Sequence, residues 1–143
     1  MAQARRALSD FPKGHEFPPI SLELTARDLS LYLDAVEDSN SLYQNSGLAP
    51  PLAVAARALG GLLGLMELPA ATLHTGQEVI ARGGIPIGET LTLAGRIAQR
   101  SERAGMVISI IEFDVTPSGG ETPALTGRTT VMMPGNVGSG AGP

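Results

Sequence analysis

Apolar and polar positions along the chain change period three times, and each change predicts a different element. Phe17-Pro18-Pro19-Ile20 leads into Ser21-Leu22-Glu23-Leu24, whose alternation predicts a first strand. Thr25 followed by Asp28 has the spacing of a capping box, with Asp in place of the usual Glu or Gln. Leu29, Tyr32, Leu33 and Val36 then recur at helical spacing, predicting an amphipathic helix that ends near Glu37. A polar turn, Asp38-Ser39-Asn40-Ser41, precedes Leu42-Tyr43 and the loop Gln44-Asn45-Ser46-Gly47. Pro50 and Pro51 mark a second helix start, because proline is tolerated in a first turn.

From Leu52 to Met66 the only charge is Arg57. A helix apolar on every side belongs in a core or a bilayer. This one is shorter than the ~20 residues that usually span a membrane, so it is expected at the centre of a soluble domain. Gly60, Gly61 and Gly64 each cost about 1 kcal/mol against Ala inside a helix. The spacing of Gly60 and Gly64 also occurs in membrane helix dimers, but the reading adopted is a flat helix face on which a sheet lies closely.

The rest predicts strands. Leu73 to Arg82 is one, ended by Gly83-Gly84 and Ile85-Pro86. Leu91, Leu93 and Ile97 alternate with Thr92, Ala94 and Arg96. Met106 to Val115 is rich in Val and Ile, with Glu112 and Asp114 on one face, and Leu125 to Met133 returns after the turn Pro117-Ser118-Gly119-Gly120. A strand, a helix, a central helix and about four strands in hairpin-like succession predict an antiparallel sheet and an α+β class.

Composition narrows the possibilities. With 143 residues there is chain for one domain and one core. Aromatics are only 3%, so the core is expected to consist of Leu, Ile, Val, Ala and Met. A net charge of −4 without a basic cluster argues against nucleic acid and anionic membranes as partners. The absence of cysteine excludes disulfides, thiolate metal sites and a cysteine nucleophile. His15 and His74 with scattered carboxylates make no metal-ligand spacing, and neither a nucleophile elbow nor a phosphate loop is present. Neither a metal nor a cofactor is expected. Met1 to Asp10 has no apolar run after Arg5 and Arg6, so a cytoplasmic location is the expectation. Gly135 to Pro143 reads as a flexible tail.

The order of elements resembles the hot-dog fold, in which a curled antiparallel sheet wraps one long helix. Four segments resemble MaoC-like hydratases and dehydratases in particular. Ala35-Val36-Glu37-Asp38-Ser39-Asn40-Ser41-Leu42-Tyr43 is similar to their G-D-x-N-P-x-H segment, and Leu48-Ala49-Pro50-Pro51-Leu52 to the approach to their central helix. Leu73-His74-Thr75-Gly76-Gln77-Glu78-Val79 and Ile87-Gly88-Glu89-Thr90-Leu91 are similar to a strand and a P-x-x-x-G-D-x-L turn. The resemblance covers residues 17–134, with 1–16 as an N-terminal extension and 135–143 as the tail. It implies a 2-enoyl or 3-hydroxyacyl thioester of coenzyme A or acyl carrier protein, bound at the interface of a homodimer or of a heterodimer with another hot-dog subunit.

The chemistry implied by the resemblance is addition of water across the enoyl double bond, or its removal. Asp38 stands where the family has its catalytic Asp, and Asn40 matches the motif's Asn. Tyr43 occupies the position of the catalytic His, and its ordinary pKa of about 10 makes it a poor base near neutrality. Pro51 falls where hydratases carry a Gly whose N–H polarises the thioester carbonyl, and proline has no N–H. Leu52 or Ala53 is then the candidate donor, since the first amides of a helix are free. His74, Gly76 and Gln77 are candidate substrate contacts on a strand. Each has a plainer reading: Asp38 and Asn40 as turn residues, Tyr43 as a core residue with one polar tip, His74 as a structural histidine.

Three functions follow from these residues. The first is an enoyl-thioester hydratase or dehydratase using Asp38 and Tyr43. The second is a non-catalytic acyl-binding subunit that pairs with an Asp- and His-bearing hot-dog partner, as the Tyr43 and Ala49-Pro50-Pro51 pattern resembles the non-catalytic half of double hot-dog proteins. The third, a hot-dog thioesterase, ranks last because Leu52 to Met66 offers no carboxylate.

Overall fold

The computed structural model describes residues 5–37 and 47–135. Strand β1 (Ile20–Glu23) is followed by helix α1 (Ala26–Ala35), central helix α2 (Pro51–Leu63) and strands β2 (Leu73–Ala81), β3 (Thr90–Arg103), β4 (Met106–Pro117) and β5 (Leu125–Pro134). The five strands form one antiparallel sheet in the order β1-β3-β4-β5-β2. The sheet packs on α2, and the arrangement is the α+β hot-dog fold.

Local signals place most of these elements. The capping box at α1 is complete: the Asp28 N–H donates to Thr25 Oγ1 at 3.1 Å and the Thr25 N–H donates to Asp28 Oδ2 at 2.9 Å. Leu29 and Leu33 bury the inner stripe of α1, whereas Val36, expected on that stripe, is 52% exposed at its C-terminal end. Between β3 and β4, Ala104 and Gly105 both have positive φ, the conformation that matches a two-residue hairpin to the twist of its strands.

The link between β2 and β3 departs from the expected hairpin succession. β2 pairs with β5, not with its successor, from Leu73↔Met132 to Ala81↔Leu125. The chain therefore crosses from one edge of the sheet to the far side before β3 begins. That crossing segment is bonded on the way, with Ala49 N–H on Ile85 O at 2.8 Å, Ile87 N–H on Gly47 O at 2.9 Å and Gly88 N–H on Leu24 O at 2.9 Å.

Strand alternation decides what meets α2. The inward residues of the three central strands include Leu91, Leu93, Ile97, Val107, Ile111, Phe113, Val115, Leu125, Val131 and Met133, all buried. From α2 they meet Ala53, Val54, Ala55, Ala58 and Leu62. One inward row is Gly95–Phe113–Gly127, one residue from each of three neighbouring strands. A Cβ on Gly127 would lie 2.2 Å from Phe113 Cζ, and a Cβ on Gly95 would lie 2.9 Å from Leu62 Cδ2. The Phe113 ring covers one glycine and Leu62 of α2 covers the other.

These contacts correct three expectations. Close approach of the helix to the central strands comes from glycines in the sheet: a Cβ on Gly60 would meet nothing within 4 Å, one on Gly64 only carbonyls of its own helix, and one on Gly61 would make an ordinary 3.7 Å contact with Leu22 of β1. The helix is not buried all round, because Leu52 is 60% exposed and Ala56 and Gly60 face outward with it. The core is not purely aliphatic either, since Phe11, Phe17 and Phe113 are all buried in it. On the outer face, Arg96 pairs with Glu112 at 3.5 Å and Asp114 at 3.1 Å, and Arg128 pairs with Glu112 at 3.3 Å. Half-exposed pairs of this kind contribute about 0–1 kcal/mol each.

Gly127→Ala should destabilise the domain by about 3 kcal/mol in denaturant unfolding, because the aromatic ring has no free space to move into. Ser109 Oγ on β4 is fully buried and has no hydrogen-bond partner among the described residues. Ser109→Ala should therefore be neutral or stabilise by up to about 1 kcal/mol in the same assay. The Thr25 backbone N–H, and then its hydroxyl, hold the Asp28 carboxyl below its ordinary value. The cap's contribution is thus complete above the ordinary carboxylate range and is lost as pH falls through the lowered value. Unfolding midpoints measured against pH should lose that acid limb in Asp28→Asn.

Candidate functional site

The start of α2 is built by a prolyl turn. Pro50 is the N-cap, with φ −60° and ψ 135°, and offers no side-chain cap; Pro51 is the first helical residue. The Pro50 carbonyl accepts from the Ala53 N–H at 3.0 Å and from the Val54 N–H at 3.2 Å. Pro51 has no amide hydrogen. Of the two candidate donors, Ala53 is therefore committed to the helix's own turn, and Leu52 keeps an amide with no acceptor among the described residues. The helix dipole places partial positive charge at this same point.

The crossing segment fixes this turn in space. Leu48 bridges to Pro86, and the Ala49 and Ile87 amide bonds hold residues 47–49 against 85–87. The segment Leu48-Ala49-Pro50-Pro51-Leu52 and the segment containing Ile87-Gly88, far apart in sequence, are thereby brought together. Sequence reasoning did not foresee the Ile85–Gly88 strap as the support of the helix start.

On β2, register sorts the candidates. His74 is opposite Val131 and Gln77 is opposite Thr129, so both lie on the inward side; Gly76 is opposite Thr130 on the outer side. A bulge between His74 and Gly76 makes this possible, because it gives His74 and Gln77 one face despite their odd spacing. His74 is exposed, and its Nε2 is 3.0 Å from the Gly76 carbonyl, which an Nε2–H tautomer satisfies. Gln77 is locked at both ends of its amide: Oε1 accepts from Thr129 Oγ1 at 2.8 Å, and Nε2 donates to Glu78 O at 3.2 Å and Arg128 O at 3.3 Å.

Thr129, buried in the middle of β5, is the residue that sequence reasoning missed. Its signal was present: on the inward positions Leu125, Gly127, Thr129, Val131 and Met133 it is the one hydroxyl among apolar neighbours. His15, the other histidine, lies elsewhere, packed between Phe11 and Phe17. Asp38, Asn40 and Tyr43 lie outside the described residues. Among the described residues no three His, Asp or Glu side chains converge as metal ligands, and no helix is long and apolar enough to cross a membrane.

Comparison with known proteins agrees with the architecture. No family model matches the chain, and no curated protein matches it in sequence. Solved structures do. A monoamine oxidase regulatory protein from an Archaeoglobus species superposes with a TM-score of 0.76 at 14% identity, covering 95% of this chain and 99% of that one. The unliganded (R)-hydratase PhaJ1 of Pseudomonas aeruginosa superposes with a TM-score of 0.73 at 15% identity, covering 92% and 88%. The HadBC (3R)-hydroxyacyl-ACP dehydratase complex of Mycobacterium tuberculosis gives 0.67 at 16% identity, covering 87% and 99%. At these identities the likeness defines the fold.

The Gln77–Thr129 lock has a measurable strength. Thr129→Val keeps the shape and removes the hydroxyl, and should cost about 1 kcal/mol in urea unfolding.

Proposed function

We propose that the chain is a MaoC-like hot-dog subunit that binds 2-enoyl or 3-hydroxyacyl thioesters, carried on coenzyme A or acyl carrier protein, for hydration or dehydration. The observation that carries this reading is the free Leu52 amide at an apolar helix start, in a fold whose structural neighbours include an (R)-hydratase and a (3R)-hydroxyacyl-ACP dehydratase. A backbone N–H at that point donates to the thioester oxygen as negative charge moves onto it, which is where preorganised donors contribute most. In hydration, the water oxygen bonds to C3 and a proton is delivered to C2. Asp38 takes the proton from water, Asn40 orients that water, the Tyr43 hydroxyl supplies the proton to C2, and the proton held by Asp38 returns through solvent to the Tyr43 phenolate to close the cycle.

Pro51, Leu52, His74 and Gln77 are assigned to substrate binding in this reading, while Gly76, on the outer side, serves only the bulge that brings His74 and Gln77 to one face. Pro51 and Leu52 shape the thioester end, while the inward side of β2 with His74 and Gln77 faces the acyl or pantetheine amide groups. The test is turnover of crotonyl thioesters by the purified chain. Hydration that disappears in Asp38→Ala, with an unchanged melting temperature, is the expected result, and the absence of any turnover by the chain alone overturns the self-sufficient enzyme.

A second reading is favoured by Pro51, which removes one of the donors a hydratase places at the helix start, and by the paired subunits of the HadBC neighbour. Here the chain holds the acyl group, and a second hot-dog subunit supplies Asp and His. Either reading calls for a partner along the β2 edge. β2 is an edge strand with Leu73 and Ile80 more than half exposed, and unpaired edges are normally covered in stable proteins. Ile80→Asp should shift the purified chain toward monomer in light scattering. Co-expression with a hot-dog protein from an adjacent reading frame separates the readings: activity only in the mixture supports the binding subunit.

A further inference from the structure

The N-terminal segment and β1 line an open cavity of about 710 Å3 beside Leu65, beyond the C-terminal end of α2. It is remote from the helix start, because α2 with its 13 residues separates them by about 20 Å. Its floor is rigid. The Phe11, His15 and Phe17 rings pack on one another with centroids 4.6–5.0 Å apart, and both phenylalanines are buried. Exposed Pro18 and Pro19 and half-exposed Leu65 supply flat apolar walls.

The rim is cationic and held in place. Arg5 Nη1 donates to Gly64 O at 3.0 Å at the end of α2, and Arg6 Nη2 donates to Asp10 O at 3.0 Å. The Arg6 guanidinium also sits 4.5 Å from the centre of the Phe11 ring. Each guanidinium uses one of its five donors in these contacts and keeps the others. Among the described residues no carboxylate reaches ion-pair distance of either, and every ion pair belongs to Arg96, Arg100 or Arg128. Asp10, close in sequence, and Glu67, whose backbone pairs with that of Arg6 and Ala7, form no ion pair with either guanidinium. In a chain of net charge −4, two anchored and unpaired guanidinia above an aromatic floor describe a receptor for an anion with a flat apolar body.

We propose that this cavity binds a nucleoside phosphate, with the phosphate on Arg5 and Arg6 and the base against Pro18, Pro19 and Leu65. A phosphate monoester carries close to two negative charges and matches the two guanidinia, whereas a carboxylate matches one. The volume lies within the range of small-molecule sites. The proposal is independent of the thioester reading and stands if that reading fails.

The test is calorimetric titration of the full chain with adenosine 5′-monophosphate, adenosine and inorganic phosphate in parallel. Saturable binding of the nucleotide in the micromolar to low-millimolar range is expected, with adenosine and phosphate each weaker by about tenfold or more. The Arg5→Gln, Arg6→Gln double variant should weaken the nucleotide by about tenfold or more, while Arg103→Gln, at the β3–β4 turn, leaves it unchanged. Because Arg5 also bonds the end of α2, Pro19→Asp provides a second variant that sets a negative charge on the wall and leaves that bond intact; it too should weaken binding. Absence of saturable binding, adenosine binding as tightly as its phosphate, or variants that bind like the parent each overturn the proposal. Adenosine 3′,5′-bisphosphate distinguishes the source: tighter binding than the monophosphate points to the nucleotide end of coenzyme A, equal binding to a free nucleotide, and both carry the site.

Discussion

The seating of α2 on the sheet rests on one row of three residues. Phe113 lies between Gly95 and Gly127 on the inward face, its ring filling the space above one glycine while Leu62 fills the space above the other. Close-packed interiors have no slack to absorb an added carbon here. The row therefore fixes how near the helix comes to the sheet and, with it, where the first turn of that helix stands. The candidate site depends on that placement at one remove: the Leu52 amide, without an acceptor among the described residues, stands where the helix start is held by the sheet beneath and the Ile85–Gly88 strap beside it.

Most of the fold was legible because most of it is local. The capping box, the alternation in β1 and β3–β5, and the prolines at the start of α2 each act within a few residues, and the element boundaries follow them closely. What was not legible is pairwise and long-range. The glycines of α2 drew attention because glycine in a helix is unfavourable, yet the glycines that matter for packing are Gly95 and Gly127, whose role exists only once β3, β4 and β5 lie side by side. Strand adjacency was hidden for the same reason: nothing near Leu73–Ala81 states that its partner is Leu125–Pro134.

The site was legible by type more than by arrangement. The missing amide at Pro51 follows from the residue alone, and the structure narrows the remaining donor from two to Leu52 because Ala53 already serves Pro50. The shared face of His74 and Gln77 was not readable, since strand alternation would set residues at their spacing on opposite sides; the bulge reverses that. Thr129 shows a different gap. A buried hydroxyl in an apolar row announces a polar partner, but the identity of the partner, Gln77, required the β2–β5 register.

The late position of β2 in the sheet has a consequence for how the chain is assembled during synthesis. β2 is made before β3, β4 and β5, yet its hydrogen-bonding partner is the last strand, so its edge stays open until Leu125–Pro134 has left the ribosome. Local hairpins such as β3–β4 close over a few residues; β2 must wait for a closure spanning most of the second half of the chain, and such long-range pairings form slowly. During that interval Leu73, Val79 and Ile80 are displayed on an unpaired strand, the circumstance in which nascent chains stick to one another. The C-terminal strand thus acts as the clasp of the domain.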